Sequence, residues 1–284
     1  LFTFIKFSIG WGYDAHKTVG LVAQEYLTDN TKYIISKWLG GKTIADIASW
    51  ADNIKFTKKY AFTRVLHYAD SIGTNGKGMC GYDDYRDCKD RKCITSAITN
   101  YTIRANCKSG FVSQEKTDAL KFIVHFLGDI SQPLHTCARD RGGNSDSIIF
   151  DGKKTKLHSI WDTAIHKKII SQQFNNNLQA YVYDLVYKIN FGIYASDSIS
   201  WINGSLTNIN SNKNLQIIVD WTQDTNRWAC GFLWNEYDTD PYKDFGLDYF
   251  IKAAPIVNVQ LAKSGYRLAW WLNNLFYNCN NNEL

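Results

Sequence analysis

Proline is scarce in this chain of 284 residues, which has only three, at Pro133, Pro241 and Pro255. Because proline removes a backbone N–H donor and clashes with the preceding helical turn, its scarcity leaves most of the chain free to form helices. Long apolar runs are also missing, since no segment beyond the N-terminus has the roughly 18 to 20 apolar residues that span a bilayer. A hydrophobic content of 45% with 21% charged residues is typical of a globular protein and argues against a disordered or collagen-like chain.

The chain also lacks a strong excess of charge of either sign. Its 32 lysines and arginines and its 27 aspartates and glutamates give a net charge of +5 with neutral histidines. Such a mild excess is compatible with an anionic partner but falls short of the polybasic character of a protein that wraps duplex DNA. Charge alone therefore indicates no function.

No pair of the seven cysteines has the C-x-x-C spacing, so the sequence supports neither a zinc ribbon nor a thioredoxin-like motif. Disulfides are the better interpretation, and they require an oxidising compartment. Sequons at Asn100 and Asn203 also fit a secretory route. We therefore expect a protein that is secreted or delivered to a lysosome-like or vacuole-like compartment, without stable membrane association.

Residues 1–10 resemble the end of a signal peptide. They are mostly apolar and carry small residues at Ser8 and Gly10, just before Trp11. The alternative is a short N-terminal strand or helix. We expect cleavage between Gly10 and Trp11, which would leave a mature domain over residues 11–284.

Apolar residues recur at helical spacing along most of the chain, for example over 19–27 and 120–128. The same pattern predicts helices over 43–52, 94–104, 157–170, 178–189, 215–233 and 245–276. Pro255 and Gly265 predict that the final segment is two helices or one bent helix. Asp151-Gly152 follows three apolar residues and predicts a short hairpin over 147–156. Without a repeat or linker, we predict an all-α, mainly helical, single domain with one short β-hairpin.

Two pairs of histidine and aspartate are spaced so that both side chains leave the same face of a helix. His125 and Asp129 stand four residues apart, as do His158 and Asp162, and His135 follows the first pair just beyond a proline. Nitrogen and carboxylate ligands without thiolates suit Zn²⁺, so the spacing favours a catalytic zinc site. Surface pairs or structural core histidines are the alternatives.

Six motifs carry a resemblance to a known family: WGYDAH (11–16), ASWADNIK (48–55), LHYAD (66–70), HFLGDISQPLH (125–135), GGN (142–144) and LHSIWD (157–162). In this order they resemble the zinc-dependent nuclease family of fungal S1-type and P1-type nucleases and plant bifunctional nucleases. The likeness continues to about residue 273 and so covers nearly all of the expected mature chain. It implies a mainly helical fold, similar to that of zinc-dependent phospholipase C, and three bound zinc ions.

The resemblance also implies a ligand set for each zinc ion. The first ion takes Asp52, His67, His125 and Asp129. The second takes His16, Asp129 and the free amine and carbonyl oxygen of an N-terminal Trp11, so that Asp129 bridges the first two ions. The third takes His135, His158 and Asp162. His166 stands four residues after Asp162 and could replace a partner by spacing alone, but the resemblance leaves it as a helix-surface residue.

Catalytic roles follow from the charges of the reactants, because an anionic nucleophile must reach an anionic phosphodiester. We expect Asp129 to hold two ions and Asp52 to orient the attacking water. Lys55 lies about one helical turn after Asp52 and is expected to contact phosphate, with a solvated lysine as the alternative.

The resemblance further implies a pocket for an unstacked base. Tyr68 would stack on the base, while Asp70 and Asn144 would bond its edge. The alternative makes Tyr68 a core residue, Asp70 a cap and Asn144 a turn residue. Plant members of the family pair the counterparts of Cys80 with Cys230 and of Cys88 with Cys93, which leaves Cys107, Cys137 and Cys279 unassigned.

Together these features predict a zinc-dependent phosphodiesterase that hydrolyses single-stranded DNA and RNA to 5′-phosphorylated products and also has 3′-nucleotidase activity. We expect a monomer whose partners are its substrates, single-stranded nucleic acid and 3′-nucleotides. One alternative is a zinc-dependent phospholipase C, which typically carries glutamate where Asp162 stands. Another is a non-catalytic secreted zinc-binding protein, although such a protein needs no open coordination positions.

Overall fold

The structure is a computed structural model that describes residues 11–73, 80–202 and 212–279. The expected signal-peptide segment 1–10, the sequon at Asn203 and the residues beyond 279 lie outside the described residues. The described α-helices are, in chain order, α1 (Tyr13–Tyr26), α2 (Asp29–Trp38), α3 (Ile44–Ile47), α4 (Trp50–Ile54), α5 (Asp84–Asp87), α6 (Ile94–Arg104), α7 (Ser113–Asp129), α8 (Asp140–Gly143), α9 (Leu157–Ser159), α10 (Ile165–Phe174), α11 (Leu178–Asn190), α12 (Asn212–Trp228), α13 (Trp234–Thr239) and α14 (Asp248–Phe276). Short 3₁₀ helices lie at Ala61–His67, Lys89–Arg91, Pro133–Thr136 and Ser198–Ile202, and π-helical turns lie at Ile160–Ala164 and Ala229–Leu233.

A two-stranded hairpin is the sole sheet of the described residues. Strands β1 (Ser147–Phe150) and β2 (Lys153–Lys156) are antiparallel, with Ser147 opposite Lys156. The carboxylate of Asp244 accepts hydrogen bonds from the Asp151 and Gly152 N–H groups at 2.8 and 2.7 Å and so holds the turn. The mainly helical fold class with one short hairpin is confirmed.

Most predicted helices form, but the segment 43–52 does not form one helix. The helix over 94–104 is α6, whereas 43–52 divides into α3 and α4. Ser49 leaves helical geometry between them, with φ −98° and ψ 9°, and its hydroxyl donates to the Tyr13 carbonyl oxygen at 3.5 Å. The break starts α4 afresh and places Asp52 in its first turn.

α14 runs as one continuous helix of 29 residues, so of the two forms predicted from Pro255 and Gly265, two separate helices or one bent helix, the first is wrong. Pro255 removes the hydrogen bond to the Ile251 carbonyl, but both residues are exposed, so solvent can replace that bond. Gly265 instead allows a close approach to α1, because a Cβ atom at that position would lie 2.5 Å from Val22 Cγ1. α14 thereby packs against α1 and α7 and backs the helices that carry the site.

Three disulfides are present, and two of them join distant parts of the chain. Cys80 is bonded to Cys230 and Cys88 to Cys93, the two pairs that the resemblance implies. Cys107 is bonded to Cys279, and the buried Cys137 forms no disulfide. Across the described residues, no helix combines the length and apolar character needed to cross a membrane.

Candidate metal centre

The last turn of α7 supplies the middle of the site. His125 and Asp129 are both buried, and His125 Nε2 lies 3.0 Å from Asp129 Oδ2. The apolar face of the same helix packs Phe122 and Phe126 into the core, which fixes the rotation of the helix and aims the two polar side chains inward. The spacing of four residues thus places both side chains on one face of the helix, as expected from the sequence.

α1 brings His16 to the other side of Asp129. Its Nε2 atom lies 3.2 Å from Asp129 Oδ1, and its ring stacks on that of His125 with centroids 3.9 Å apart. The approach requires glycine at position 128, because a Cβ atom there would lie 2.8 Å from His16 Nδ1. His16, His125 and Asp129 form the first group of potential ligands.

Asp52 and His67 reach the same carboxylate from α4 and from the end of the 3₁₀ helix Ala61–His67. His67 Nδ1 lies 3.0 Å from Asp129 Oδ2, while Asp52 Oδ1 lies 3.5 Å from His125 Nε2 and 3.7 Å from His67 Nδ1. Asp52, His67 and His125 form the second group. One oxygen of Asp129 therefore faces His16, and the other faces His67 and His125.

His135, His158 and Asp162 form the third group. The nearest nitrogen–oxygen distances to Asp162 are 3.2 Å from His158 and 3.6 Å from His135. Asp162 lies in the π-helical turn Ile160–Ala164, and such turns often mark functional positions. His135 Nδ1 is also 3.7 Å from Asp129 Oδ1, so the third group adjoins the other two.

Backbone carbonyls fix the orientation of three of these histidines. The Nδ1 atoms of His125, His135 and His158 lie 2.7, 3.0 and 2.6 Å from the carbonyl oxygens of Ala48, His67 and Gly142, respectively. A carbonyl oxygen can only accept a hydrogen bond, so in each ring Nδ1 carries the proton. In the neutral ring the lone pair then sits on Nε2 and faces the carboxylates, which is the arrangement that metal-binding histidines adopt.

Several ligand atoms of these groups are buried without a hydrogen bond. They are both ring nitrogens of His16, Nε2 of His67, His135 and His158, Oδ1 of Asp129 and Oδ2 of Asp162. A buried polar atom without a partner costs about 1 to 3 kcal/mol, so an accumulation in one place calls for a ligand. Ligands held about 2.0 to 2.1 Å from a tetrahedral zinc ion lie roughly 3.3 Å from one another, close to the separations within the three groups. The residues present therefore fit zinc.

The protein's own charges keep the carboxylates ionised. Burial raises the pKa of Asp52 and of Asp129, but the charge and hydrogen bond of His125, together with the other neighbouring cations and donors, hold each pKa below its usual range. Burial lowers the pKa of His67 to about 4, whereas Asp129 and Asp52 overcome the burial of His125 and raise its pKa to about 10. Before a cation binds, His125 thus holds a proton that the cation must displace.

Lys55 is not the solvated lysine of the alternative interpretation. Its side chain is 2% exposed, and its Nζ atom lies 2.5 Å from Asp52 Oδ1. Asp52 is itself 19% exposed, whereas Asp129 and Asp162 are fully buried. Asp52 and Lys55 therefore lie on the solvent side of the groups.

A cavity of about 280 Å³ adjoins the third group. Tyr68, Asp70, Asn144 and Arg141 line it together with His135 and His158. Tyr68 is half-buried rather than a core residue, and burial together with Asp87 raises the pKa of the Asp70 carboxyl group. Asn144 donates to the Arg141 carbonyl oxygen at 2.9 Å and so also has the turn role of the alternative.

The indole ring of Trp11 and the backbone of Gly12 form hydrogen bonds near the ligand groups. The indole Nε1 donates to Ser131 Oγ at 3.0 Å, and the Gly12 N–H donates to the Asp162 carbonyl oxygen at 2.7 Å. Ser131 lies two residues after Asp129, and Asp162 belongs to the third group. Hydrogen bonds therefore hold the start of the described chain between the first and third groups.

His166 is not the helix-surface residue that the resemblance implied. It is 1% exposed, stacks edge-on against Tyr181 and bonds Thr18 Oγ1 at 3.0 Å, and it belongs to none of the three groups. Sequence reasoning also missed Gln132, whose amide donates to Asp162 Oδ1 at 2.7 Å. The available signal was the pair of polar residues Ser131 and Gln132 between Asp129 and His135.

A helical scaffold that buries such a cluster of histidine and aspartate side chains is the architecture of a metal-dependent enzyme. Comparison with known families makes the class specific: the model of the S1/P1 nuclease family matches residues 11–277, and the chain belongs to this family. The chain is therefore a hydrolase of the nuclease class.

Named relatives extend over nearly the whole chain. Nuclease P1 of Penicillium citrinum is 34% identical over 269 residues, which cover 93% of this chain and 97% of that protein. Nuclease S1 of Aspergillus oryzae is 33% identical over 275 residues, with 94% and 92% covered. Endonuclease 5 of Arabidopsis thaliana is 30% identical over 285 residues, with 94% and 90% covered.

Proposed function

We propose that this protein hydrolyses single-stranded DNA and RNA to 5′-phosphorylated products and removes phosphate from 3′-nucleotides. The observation that carries the proposal is the position of the cavity lined by Tyr68, Asp70 and Asn144, which shares His135 and His158 with the third ligand group. A nucleotide whose base occupies this cavity would have its 3′-phosphate beside the ligand groups.

Three zinc ions are the cofactor of this proposal. Their ligands would be Asp52, His67, His125 and Asp129 for the first, Trp11, His16 and Asp129 for the second, and His135, His158 and Asp162 for the third. The two oxygens of Asp129 face different histidines, which supports a bridging role. When bound, zinc supplies Lewis acidity that activates water and offsets the charge developing on the phosphate oxygens.

The residues at the solvent side of the groups position the reactants. Asp52 is ionised, partly exposed and able to accept a hydrogen bond from a water molecule and so orient the lone pair of that water. Lys55 brings a positive charge to the same place, held by its ion pair with Asp52, and would contact a phosphate oxygen. Its burial fixes this charge more firmly than a mobile surface lysine would.

The cavity favours a base that has left the helical stack. Tyr68 offers a half-exposed ring for stacking, while Asp70 and Asn144 offer polar atoms to the base edge. Bases in a duplex are paired and stacked, so a base of a single strand enters such a cavity at a lower free-energy cost of unpairing and unstacking.

Removal of residues 1–10 forms part of the proposal. An amide nitrogen at Trp11 is a very poor zinc ligand, whereas a freed α-amine, with a pKa of about 7.7 to 8, binds zinc once deprotonated. Disulfides, together with this processing, would place the mature enzyme outside the cell or in a lysosome-like or vacuole-like compartment.

The test is one preparation of the mature full chain, with its N-terminus and zinc content measured. We expect an N-terminal Trp11, three zinc ions per chain, and hydrolysis of single-stranded DNA and of 3′-AMP. Phosphatidylcholine should be inert. Hydrolysis of phosphatidylcholine instead of nucleic acid, or zinc binding without any hydrolysis, would overturn the proposed function.

A further inference from the structure

The segment between Asp52 and His67 carries both basic and aromatic side chains. It contains Lys55, Lys58, Lys59 and Arg64 but no acidic residue, and it holds three aromatic residues, at positions 56, 60 and 62. Since Lys55 is paired with Asp52, three positive charges remain on the segment. It leads from α4 into the 3₁₀ helix that ends at His67 and so joins two members of the second ligand group.

Only one of the three aromatic rings is needed to anchor the segment. The Tyr60 hydroxyl donates to Asp118 Oδ2 at 2.7 Å, and the ring packs against Trp50 and Phe122 with centroid distances of 5.6 and 6.0 Å. Phe56 and Phe62 are instead 59% and 63% exposed. The stability of the fold does not explain these two rings, because a largely exposed phenylalanine buries little apolar area.

Phe56 lies next to the proposed reaction centre. Lys55 Nζ is 5.7 Å from the centre of the Phe56 ring and 2.5 Å from Asp52 Oδ1. The Arg64 guanidinium lies 5.5 Å from the same ring, and Arg64 Nε donates to the Lys55 carbonyl oxygen at 3.0 Å. The ring therefore lies close to two cations, one of which is paired with the carboxylate of Asp52.

We propose that this segment is a contact surface for the single strand that flanks the nucleotide being cleaved. Bases stack on Phe56 and Phe62, and phosphates lie near Lys58, Lys59 and Arg64, since stacking rings among positive charges are what single strands recognise. We call these five residues the strand-contact surface. The inference rests on the proposed function, and it adds a second place of contact outside the cavity at Tyr68.

The strand-contact surface has a consequence for substrate size. A 3′-mononucleotide has one base and one phosphate, which the cavity and the ligand groups occupy. An oligonucleotide also reaches Phe56 and the basic side chains. Changes at the strand-contact surface should therefore affect oligonucleotides more than mononucleotides.

Binding of a fluorescent, phosphorothioate-linked oligothymidylate to the zinc-loaded full chain tests the stacking. We expect Phe56→Ala and Phe62→Ala each to weaken binding about fivefold or more, the lower end of the effect of removing a stacking ring. Phe56→Tyr should bind as the unchanged protein does. Phe191→Ala, which removes another exposed ring, at the end of α11, is the matched control and should have no effect.

The salt dependence of the same binding tests the charges. For the double variant Lys58→Gln/Lys59→Gln, the slope of log Kd against log salt should fall by about 0.7 for each lost phosphate contact. The pair Lys153→Gln/Lys154→Gln removes two neighbouring exposed lysines from β2 and should leave the slope unchanged. Polyglutamate should compete poorly with the oligonucleotide.

Kinetics separate a failure of this inference from a failure of the proposed function. The ratio of KM for an oligonucleotide to KM for 3′-AMP should rise about fivefold in Phe56→Ala. A protein that hydrolyses neither substrate overturns the proposed function, yet the binding measurements still decide the inference. Equal binding by Phe56→Ala, Phe62→Ala and the unchanged protein, or equal competition by polyglutamate, would overturn the strand-contact surface.

Discussion

Asp129 is the residue on which the ligand groups depend. Its two oxygens face His16 on one side and His67 and His125 on the other, so no other carboxylate of the described groups has the same position. Asp129→Asn replaces this charge by a neutral amide, and we expect loss of bound zinc together with loss of turnover. Elemental analysis and hydrolysis of single-stranded DNA measure the two effects. Asp220→Asn on the exposed side of α12 is the control, and full zinc content in Asp129→Asn would contradict the bridging role.

His166 should control part of the acid stability of the fold. Burial lowers the pKa of His166 to about 3. The Thr18 hydroxyl donates its proton to the Asp14 carbonyl oxygen, so the Thr18 oxygen accepts a hydrogen bond from His166 Nε2. The unfolded chain binds a proton at this residue near pH 6.5 and the folded chain does not, so stability falls as the pH falls below that value.

The slope from His166 amounts to at most about 1.4 kcal/mol of unfolding free energy per pH unit. We expect His166→Gln, which retains a donor toward Thr18, to flatten the decline between about pH 6 and pH 3. Urea unfolding at a series of pH values measures the difference between the two proteins. Parallel curves of unfolding free energy against pH would show that the pKa of His166 is not lowered in the folded protein.

The contrast between His166 and its neighbours shows what spacing predicts. His158 and Asp162 meet because four residues make about one helical turn. From Asp162 to His166 the same count brings no contact, since His166 packs instead against Tyr181 and Thr18. Gln132 acts on Asp162 across 30 residues, a contact that no local pattern encodes.

At the scale of the element, Pro255 and Gly265 do not divide α14 into two helices. Helix-breaking rules describe an isolated segment, but the contact of Gly265 with Val22 is decided by packing against α1. α6, which has neither residue and is capped locally, was predicted to the residue. Sequence therefore predicted the elements whose ends depend on near neighbours.

Gly265→Ala should destabilise the protein by about 1 to 3 kcal/mol, the usual cost of overpacking, because its Cβ atom would meet Val22 Cγ1 at 2.5 Å. Val22→Ala should also destabilise, by leaving a cavity. In the double variant the two effects should partly cancel, since the shorter side chain makes room for the new methyl group. Urea unfolding of the four proteins measures the coupling, and simple additivity would mean that α1 and α14 shift apart without resistance.

At the scale of the whole molecule, the disulfides could be only partly foreseen. Family likeness supplied two pairs, but Cys107 and Cys279 are separated by 172 residues and meet only in the folded chain. Replacing both by serine should lower the free energy of unfolding by about 2 to 5 kcal/mol. Urea unfolding measures the loss, with Cys137→Ala as a control that changes a cysteine but no disulfide. An unchanged unfolding midpoint would mean that α14 holds its position without the covalent tie.

The disulfides Cys80–Cys230 and Cys107–Cys279 overlap along the chain, since each closes a loop that contains one cysteine of the other. Any single cut of the backbone between residues 80 and 230 leaves the two pieces joined by the first bond, and any cut between 107 and 279 leaves them joined by the second. A protease that nicks one exposed loop in this part of the molecule, such as the hairpin turn at Asp151, therefore releases no fragment. The enzyme is built so that a broken main chain there remains a single covalent molecule.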